Sequence, residues 1–273
     1  MIGSRSHAYD QAGVAIGHEA VSRGENSIVM GTGAEADPTS SSSVDNAIVI
    51  GTRAESTADD GVAIGQEAQA DGVRSVAQGF HAHTEASDSQ AFGTRAHATG
   101  VSAQASGTDA TASGTNAQAS GTRASASGVN AIASGTDARG YATDGIAMGT
   151  GAEAGFSDPS NTDPERNTAG IAIGNQSQAD QQHALALGVE AEARAASSTA
   201  IGDGAEATAT AQDGLAVGSG ARVTAQNAAA FGQSAEAVAA DALAVGSGAL
   251  ANQQSASAVG QNAQATASAL WPK

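Results

Sequence analysis

Three of the six histidines fall close together, and they are the residues best suited to chemistry: His81, His83 and His97. Neutral imidazoles ligate divalent metals. A fourteen-residue spacing separates His83 from His97, and the same spacing recurs along the whole chain, so the two rings are expected to stack. On a surface ladder such a pair is more often incidental, and no metal or other cofactor is expected. No HExxH motif occurs. Asp109, Asp137 and Asp213 are isolated acids, and the G-G-x-G-x-D run of calcium-loaded β-rolls is missing. A P-loop and a G-x-S-x-G elbow are also missing. Enzyme is the least supported class.

A column of threonines offers a different chemistry: Thr94, Thr108, Thr122, Thr136 and Thr150. Regular threonine arrays on flat solenoids bind ice. This column is one residue wide and gives way elsewhere to Gln66, Phe80, Asn175 and Val189, so strand and turn-edge preference is the simpler reading.

Composition narrows the classes further. Lys+Arg total 11 against 28 Asp+Glu, a formal net charge of -17. Nucleic acid is excluded as a partner, because phosphate binding needs clustered cations. There are no cysteines, hence no disulfide and no thiolate metal site. No apolar run of eighteen residues occurs, so no helix is expected to insert in a membrane, and the first residues lack the apolar core of a signal peptide. Aromatic residues make up 3% and the hydrophobic fraction is largely alanine, too little bulk for a wide core.

The elements that must position these residues come from an internal repeat. Aligned on one glycine, the coils run Gly17, Gly31, Gly51, Gly65, Gly79, Gly93, Gly107, Gly121, Gly135, Gly149, Gly174, Gly188, Gly202, Gly218, Gly232, Gly246 and Gly260. Most steps are fourteen residues. The residue two before each glycine is alanine, except Val29 and Val49, and the residue three after is alanine, except Ser177. Larger apolar residues flank the leading alanine: Val14/Ile16, Ile28/Met30, Ile48/Ile50, Val62/Ile64, Ile171/Ile173, Leu185/Leu187, Leu215/Val217 and Leu243/Val245.

Alternation with period two marks a strand with two unlike faces. Glycine in every coil argues against helix, at roughly 1 kcal/mol per site relative to alanine. Between Ala98 and Ala138 the coil decays into a seven-residue half-repeat, as in Ala105-Ser-Gly-Thr-Asp-Ala-Thr111 followed by Ala112-Ser-Gly-Thr-Asn-Ala-Gln118, which marks a two-sided coil. The fold class is therefore all-β, a parallel solenoid of about seventeen coils, roughly 80 Å long at ~4.8 Å per stacked strand. Only Ala, Ser or Gly fits inside so narrow a bore. The paired Val, Ile and Leu must point outward, and an apolar stripe of that length calls for association of like copies. Those sixteen residues are the expected interface.

Two stretches break the period. Residues 37–43 contain Pro38, and residues 155–168 contain Pro159 and Pro164, in keeping with proline's inability to donate to a ladder. Phe156, Asp158, Asp163, Glu165 and Arg166 in the second stretch are ligand-binding candidates, since loops on rigid scaffolds often carry recognition. A tolerated insertion is the plainer reading. Residues 1–10 form a lead-in, 11–267 the repeat region and 268–273 a tail. In the central coils Gln90, Gln104 and Gln118 replace the first large apolar residue, while Ser106, Ser120 and Ser134 replace the second. If that face meets a symmetry axis, the axis is polar there and holds ordered water, a bound ion or a wider solvated seam.

The segments Gly13-Val-Ala-Ile-Gly-His-Glu-Ala20, Gly61-Val-Ala-Ile-Gly-Gln-Glu-Ala-Gln-Ala70 and Gly145-Ile-Ala-Met-Gly-Thr-Gly-Ala-Glu-Ala154 resemble the head repeat of YadA-like trimeric autotransporter adhesins, roughly S-V-A-I-G-x-x-A-x-A. The resemblance covers about residues 11–267. It implies a left-handed parallel β-roll assembled as a parallel homotrimer, displayed at the cell surface from a bacterial outer membrane. It further implies attachment, without catalysis, to an extracellular matrix protein, a cell-surface receptor or a glycan. A heptad stalk, a neck and a C-terminal membrane barrel are not recognisable in this chain. A phage or particle fibre segment, a rigid spacer or receptor binder on a virion, is the alternative expectation, and an ice-binding solenoid a third.

Overall fold

The computed structural model describes residues 2–36, 43–156 and 168–266. The chain divides into two units, Met1–Ala131 and Ile132–Lys273, each a parallel β-solenoid. Every described strand is two or three residues long, and no helix occurs among the described residues.

One coil of the first unit shows the construction. Val62–Ile64 is its three-residue strand, pairing in register with Ile48–Ile50 before it and Val76–Gln78 after it. Gln69–Ala70 is its two-residue strand, paired with Glu55–Ser56 and His83–Thr84. Main-chain bonds run from coil to coil: the Gln69 amide donates to the Ala82 carbonyl at 2.8 Å, and Gly79 donates to Ile64 at 2.8 Å. The second unit repeats the scheme, with Ile171–Ile173 paired to both Ile146–Met148 and Leu185–Leu187. In both units extra residues leave the register of the strands intact. Ile28 pairs Ile48 across a twenty-residue step, and Ile146 pairs Ile171 across twenty-five.

The core is alanine. In the coil around Gly107, Ala103, Ala105, Ala110 and Ala112 are all fully buried. The side chains beside them on the strand, Gln104 and Ser106, are exposed. A core of methyl groups gains little from each residue, about 0.8 kcal/mol per buried carbon. Dense stacking and a complete main-chain ladder supply the order that large side chains provide elsewhere.

Several departures from alanine in the bore are matched by the residue that faces them. Ser56 faces Gly61, whose added Cβ would collide with the Ser56 Oγ. Val223 faces Gly214, where an added Cβ would lie 3.0 Å from Val223 Cγ1. Thr84 faces Ser75 and donates to its Oγ at 2.9 Å, so two buried hydroxyls satisfy each other. Ser27 Oγ donates to the Val44 carbonyl at 2.7 Å. Ser22 Oγ is buried with no hydrogen-bond partner.

The repeated glycine is fixed by two independent demands. Gly93 has φ +133, a region closed to side chains, and an added Cβ would sit 2.5 Å from the Gly107 carbonyl oxygen in the next coil. Two residues per coil also take left-handed backbone: the one two after the glycine and the one five before it, such as Arg95 (φ 54) and Asp88 (φ 62) around Gly93.

Gly93→Ala is expected to lower the stability of the first unit by about 3 kcal/mol or more, combining a forbidden φ with a backbone collision. Ser22→Ala is expected to raise it by about 1 kcal/mol, because an unpaired buried hydroxyl is removed where alanine is the usual occupant. Urea denaturation of the two variants checks both; equal midpoints for Gly93→Ala and the parent would contradict the close stacking.

Candidate functional site

Because the bore is closed, all chemistry lies on the outward columns. Three in-register positions after each glycine define the face beside the two-residue strand. The Gly+4 column reads Val21, Glu35, Glu55, Gln69, His83, His97, Thr111 and Ser125 in the first unit, and Arg139, Glu153, Gln178, Glu192, Glu206, Arg222, Glu236, Leu250 and Gln264 in the second. The Gly+6 column adds Asp71, Glu85 and Asp180, and the left-handed Gly+2 column adds Glu67, His81 and Glu190.

His83 and His97 are cross-strand partners, and their rings stack at 4.9 Å between centroids with 15° between planes. Each carries a carboxylate from the coil before: His83 Nε2 is 2.9 Å from Asp71 Oδ2, and His97 Nε2 is 3.0 Å from Glu85 Oε1. Thr57 donates to the other Asp71 oxygen at 2.9 Å. The hydrogen bond from Asp71 raises the His83 pKa against the lowering effect of burial, with Glu85 and Glu55 adding to the rise. Reciprocally, His83 and then Thr57 hold Asp71 below the ordinary carboxylate range, against burial.

His81 does not join this pair. It sits on the left-handed corner, with Nε2 2.6 Å from Glu67 and its ring edge-on to Phe80. Arg53 also reaches Glu67. The two corner columns carry stacked polar pairs: Arg95–Asp109 and Arg74–Asp88 are two-point contacts of 2.5–2.8 Å, and Asn116 donates to Asn130 at 3.0 Å. Reading every fourteenth residue at these columns reveals the alternation of charge, a signal that attention to the apolar pattern passed over. Such exposed pairs are screened by solvent and contribute little each.

In the second unit the face beside the two-residue strands is an open groove lined by Glu153, Glu190, Glu192 and Glu206 with Arg139 and Gln178. Arg194 lies 2.6 Å from Glu192, and Arg222 lies 2.9 Å from Glu206. Asp180 lies beside these acids. Burial, reinforced by Glu153 and Glu192 and opposed by Arg194, pushes its pKa up to about 6.

The sixteen aliphatic residues expected at an interface all point away from the bore. Ile28, Met30, Ile50 and Leu187 are exposed, and Val14, Ile16, Ile48, Val62, Ile64, Ile171, Ile173, Leu185, Leu215, Val217, Leu243 and Val245 are half-buried. Met148, 44% exposed, belongs to the same face. On the corresponding columns Gln104, Ser106, Gln118 and Ser120 are exposed, while Gln90 and Ser134 are half-buried. Phe156 is 44% exposed. Asp158, Asp163, Glu165 and Arg166 lie outside the described residues, as do the four prolines. Thr94, Thr108 and Thr122 in the first unit, and Thr136 and Thr150 in the second, each stand directly after their glycine on the outer surface.

Asp180 yields a prediction with a definite sign. A carboxyl whose folded pKa is raised contributes stability in full below its unfolded pKa near 3.8 and loses it as pH rises through about 6. At pH 7.5 the ionised group is therefore a net cost. Asp180→Asn is expected to stabilise the second unit at pH 7.5 by about 1 kcal/mol, after discounting for solvent screening, and to leave it unchanged at pH 4. Thermal melts at the two pH values test this; a gain of the same size at pH 4 would refute it.

Comparison with known proteins follows the same repeat. The model of the YadA head domain repeat matches residues 8–96, 105–152, 167–205 and 209–249 in overlapping two-copy segments. No curated protein sequence matches the chain. Among solved structures, the crystal structure of the collagen-binding domain of Yersinia adhesin YadA is similar at 18% identity, covering 82% of each chain with a TM-score of 0.26. The repeat matches span well over half of the residues and coincide with the coils, so the chain belongs to the YadA head domain repeat family.

Proposed function

We propose that the chain is the adhesive head of a surface-displayed fibre, in which three copies of a left-handed roll stand in parallel and side by side. It attaches to an extracellular matrix protein, a cell-surface receptor or a glycan, and does so without catalysis. One observation carries the reading: the coils fill their bore with alanine and turn their paired Val, Ile, Met and Leu side chains outward. A contiguous aliphatic column on a surface is the mark of an association face. Threefold association buries them around an axis, and membership of an adhesin head family supports that arrangement.

Assembly sorts the surface by role. The aliphatic face goes to the axis, where Gln104, Ser106, Gln118 and Ser120 give the first unit a polar stretch with ordered water or an ion between the copies. The corner columns and the faces beside the two-residue strands stay outside, in the second unit as an acidic groove. A ligand meets equivalent positions at every fourteenth residue and three times around the fibre. Weak contacts then add through effective concentration, without a deep pocket. Residues 155–168, where the sequence period is broken, contribute a locally distinct contact in this reading. Display from a bacterial outer membrane is the setting in which such a head works.

Sedimentation of the purified chain is expected to give the mass of three copies. Leu185→Glu with Leu187→Glu is expected to give one, because two charges per coil cannot be buried at the axis. A single-chain mass for the parent ends this reading. The trimer is then screened against matrix proteins, a glycan array and whole cells, with and without residues 155–168. Retained binding after that deletion assigns attachment to the repeat surface, and failure of the intact trimer on every panel rejects the adhesive role.

A further inference from the structure

We propose that His83, Glu85 and His97 of the first unit form a binding site for a divalent transition metal of the zinc type, oriented by Asp71. One ligand atom from each of the three lies within 4.8 Å of the others. Two donors of a tetrahedral zinc ion stand about 3.3 Å apart, given bonds near 2.0–2.2 Å. Closing that difference falls to the side chains, since the backbone of all three is pinned. The His83, Glu85 and His97 amides donate to Ala96, Ala98 and Ala110 at 2.9, 3.0 and 2.8 Å. Two imidazoles and a carboxylate suit zinc, and they leave a fourth position on the open face for water or a donor from a bound partner.

The arrangement around His83 points to a ligand more sharply than the triad alone. Asp71 Oδ2 accepts from His83 Nε2 at 2.9 Å, and Thr57 holds the other Asp71 oxygen. With its proton on Nε2, His83 keeps a lone pair on Nδ1, and that nitrogen lies 3.9 Å from Glu85 Oε1. A carboxylate that fixes the tautomer of a ligating histidine is the standard second layer of a zinc site. Glu85 Oε1 is at the same time 3.0 Å from His97 Nε2. One carboxylate oxygen thus lies between two imidazole nitrogens, at 3.0 and 3.9 Å, and a metal entering there replaces a hydrogen bond without demanding a new fold. The register supplies the rest: His83 pairs with His97 through the ladder, and Glu85 lies two residues along the same strand direction. His81, four residues from Glu85, stays on the other side of the corner with Glu67 and is the natural control.

The experiment uses the full chain and zinc chloride. Calorimetry is expected to give one zinc per chain, and cobalt substitution a visible absorption band characteristic of a low-coordinate nitrogen–oxygen site. His97→Gln is expected to abolish binding, Glu85→Gln to weaken it at least tenfold, and His81→Gln to leave it unchanged. Asp71→Asn is expected to weaken binding by about 10–100-fold. In the metal-free protein the same change should remove the Nε2–H preference of His83 in nitrogen-15 spectra, which a purely structural role would leave in place. Circular dichroism verifies that each variant is folded. Failure of the parent to bind zinc or cobalt, or undiminished binding in the His83→Gln, His97→Gln double variant, overturns the proposal, as does equal loss in His81→Gln.

Discussion

The width of the bore governs this molecule. Fourteen residues spent on two short strands and two corners leave room inside for four or five small side chains, and alanine fills that room to full burial in nearly every coil. Some larger occupants face a glycine, as Val223 does Gly214 and Ser56 does Gly61, and Thr84 is accommodated by a hydrogen bond to Ser75. The same tightness brings the glycine of one coil against the carbonyl of the next, so that position tolerates no Cβ. Apart from the buried Val29, Val44, Val49 and Val223, the larger aliphatic residues of the strands are thereby turned outward, and the solenoid exports much of the hydrophobic driving force that a globular domain keeps within. The proposed association of like copies would cover those outward residues.

Stacking in strict register has a second effect, on charge. A substitution at one column position meets its own equivalents 14 residues away, so like charges accumulate unless sequence alternates them. Arg95 over Asp109 and Arg74 over Asp88 are the alternating solution at the corners. The Glu153, Glu192 and Glu206 column is the accumulating one, relieved by Arg194 and Arg222 and felt at Asp180 as a raised pKa. Each pair contributes little, but columns of them decide which face of a coil suits an ion, a polar partner or another copy.

Much of this was legible in the sequence because the repeat is rigid. The glycine column, the alanines two before and three after it, and the outward direction of Ile171/Ile173 or Leu185/Leu187 all follow from period and side-chain size. The structure adds what period alone cannot hold. That Ser56 requires Gly61 depends on which positions face across the bore. That residues such as Arg95 and Asp88 take left-handed backbone depends on corner geometry, since arginine has no preference for it. His83 and His97 were recognisable as a stacked pair from their spacing, whereas His81, adjacent in sequence, points to a different corner. Glu85 escaped notice because it is related to His97 by a diagonal of twelve residues, a step that appears only once the strand direction and the coil rise are both known.

That diagonal says something about how a repetitive scaffold acquires local chemistry. Stability resides in the inward columns and the ladder, and these are nearly the same in the coils around Gly65, Gly79, Gly93 and Gly107. The outward Gly+4 column is free to change along them, from Glu55 and Gln69 through His83 and His97 to Thr111. Replacing an outward residue disturbs no core contact, so a cluster such as Asp71, His83, Glu85 and His97 arises at no cost to the fold. Its geometry is nonetheless precise, because the coil beneath fixes the spacing of every side chain it displays. Local departures from the consensus on the outer columns, rather than the consensus itself, are where distinct chemistry on this solenoid should be sought.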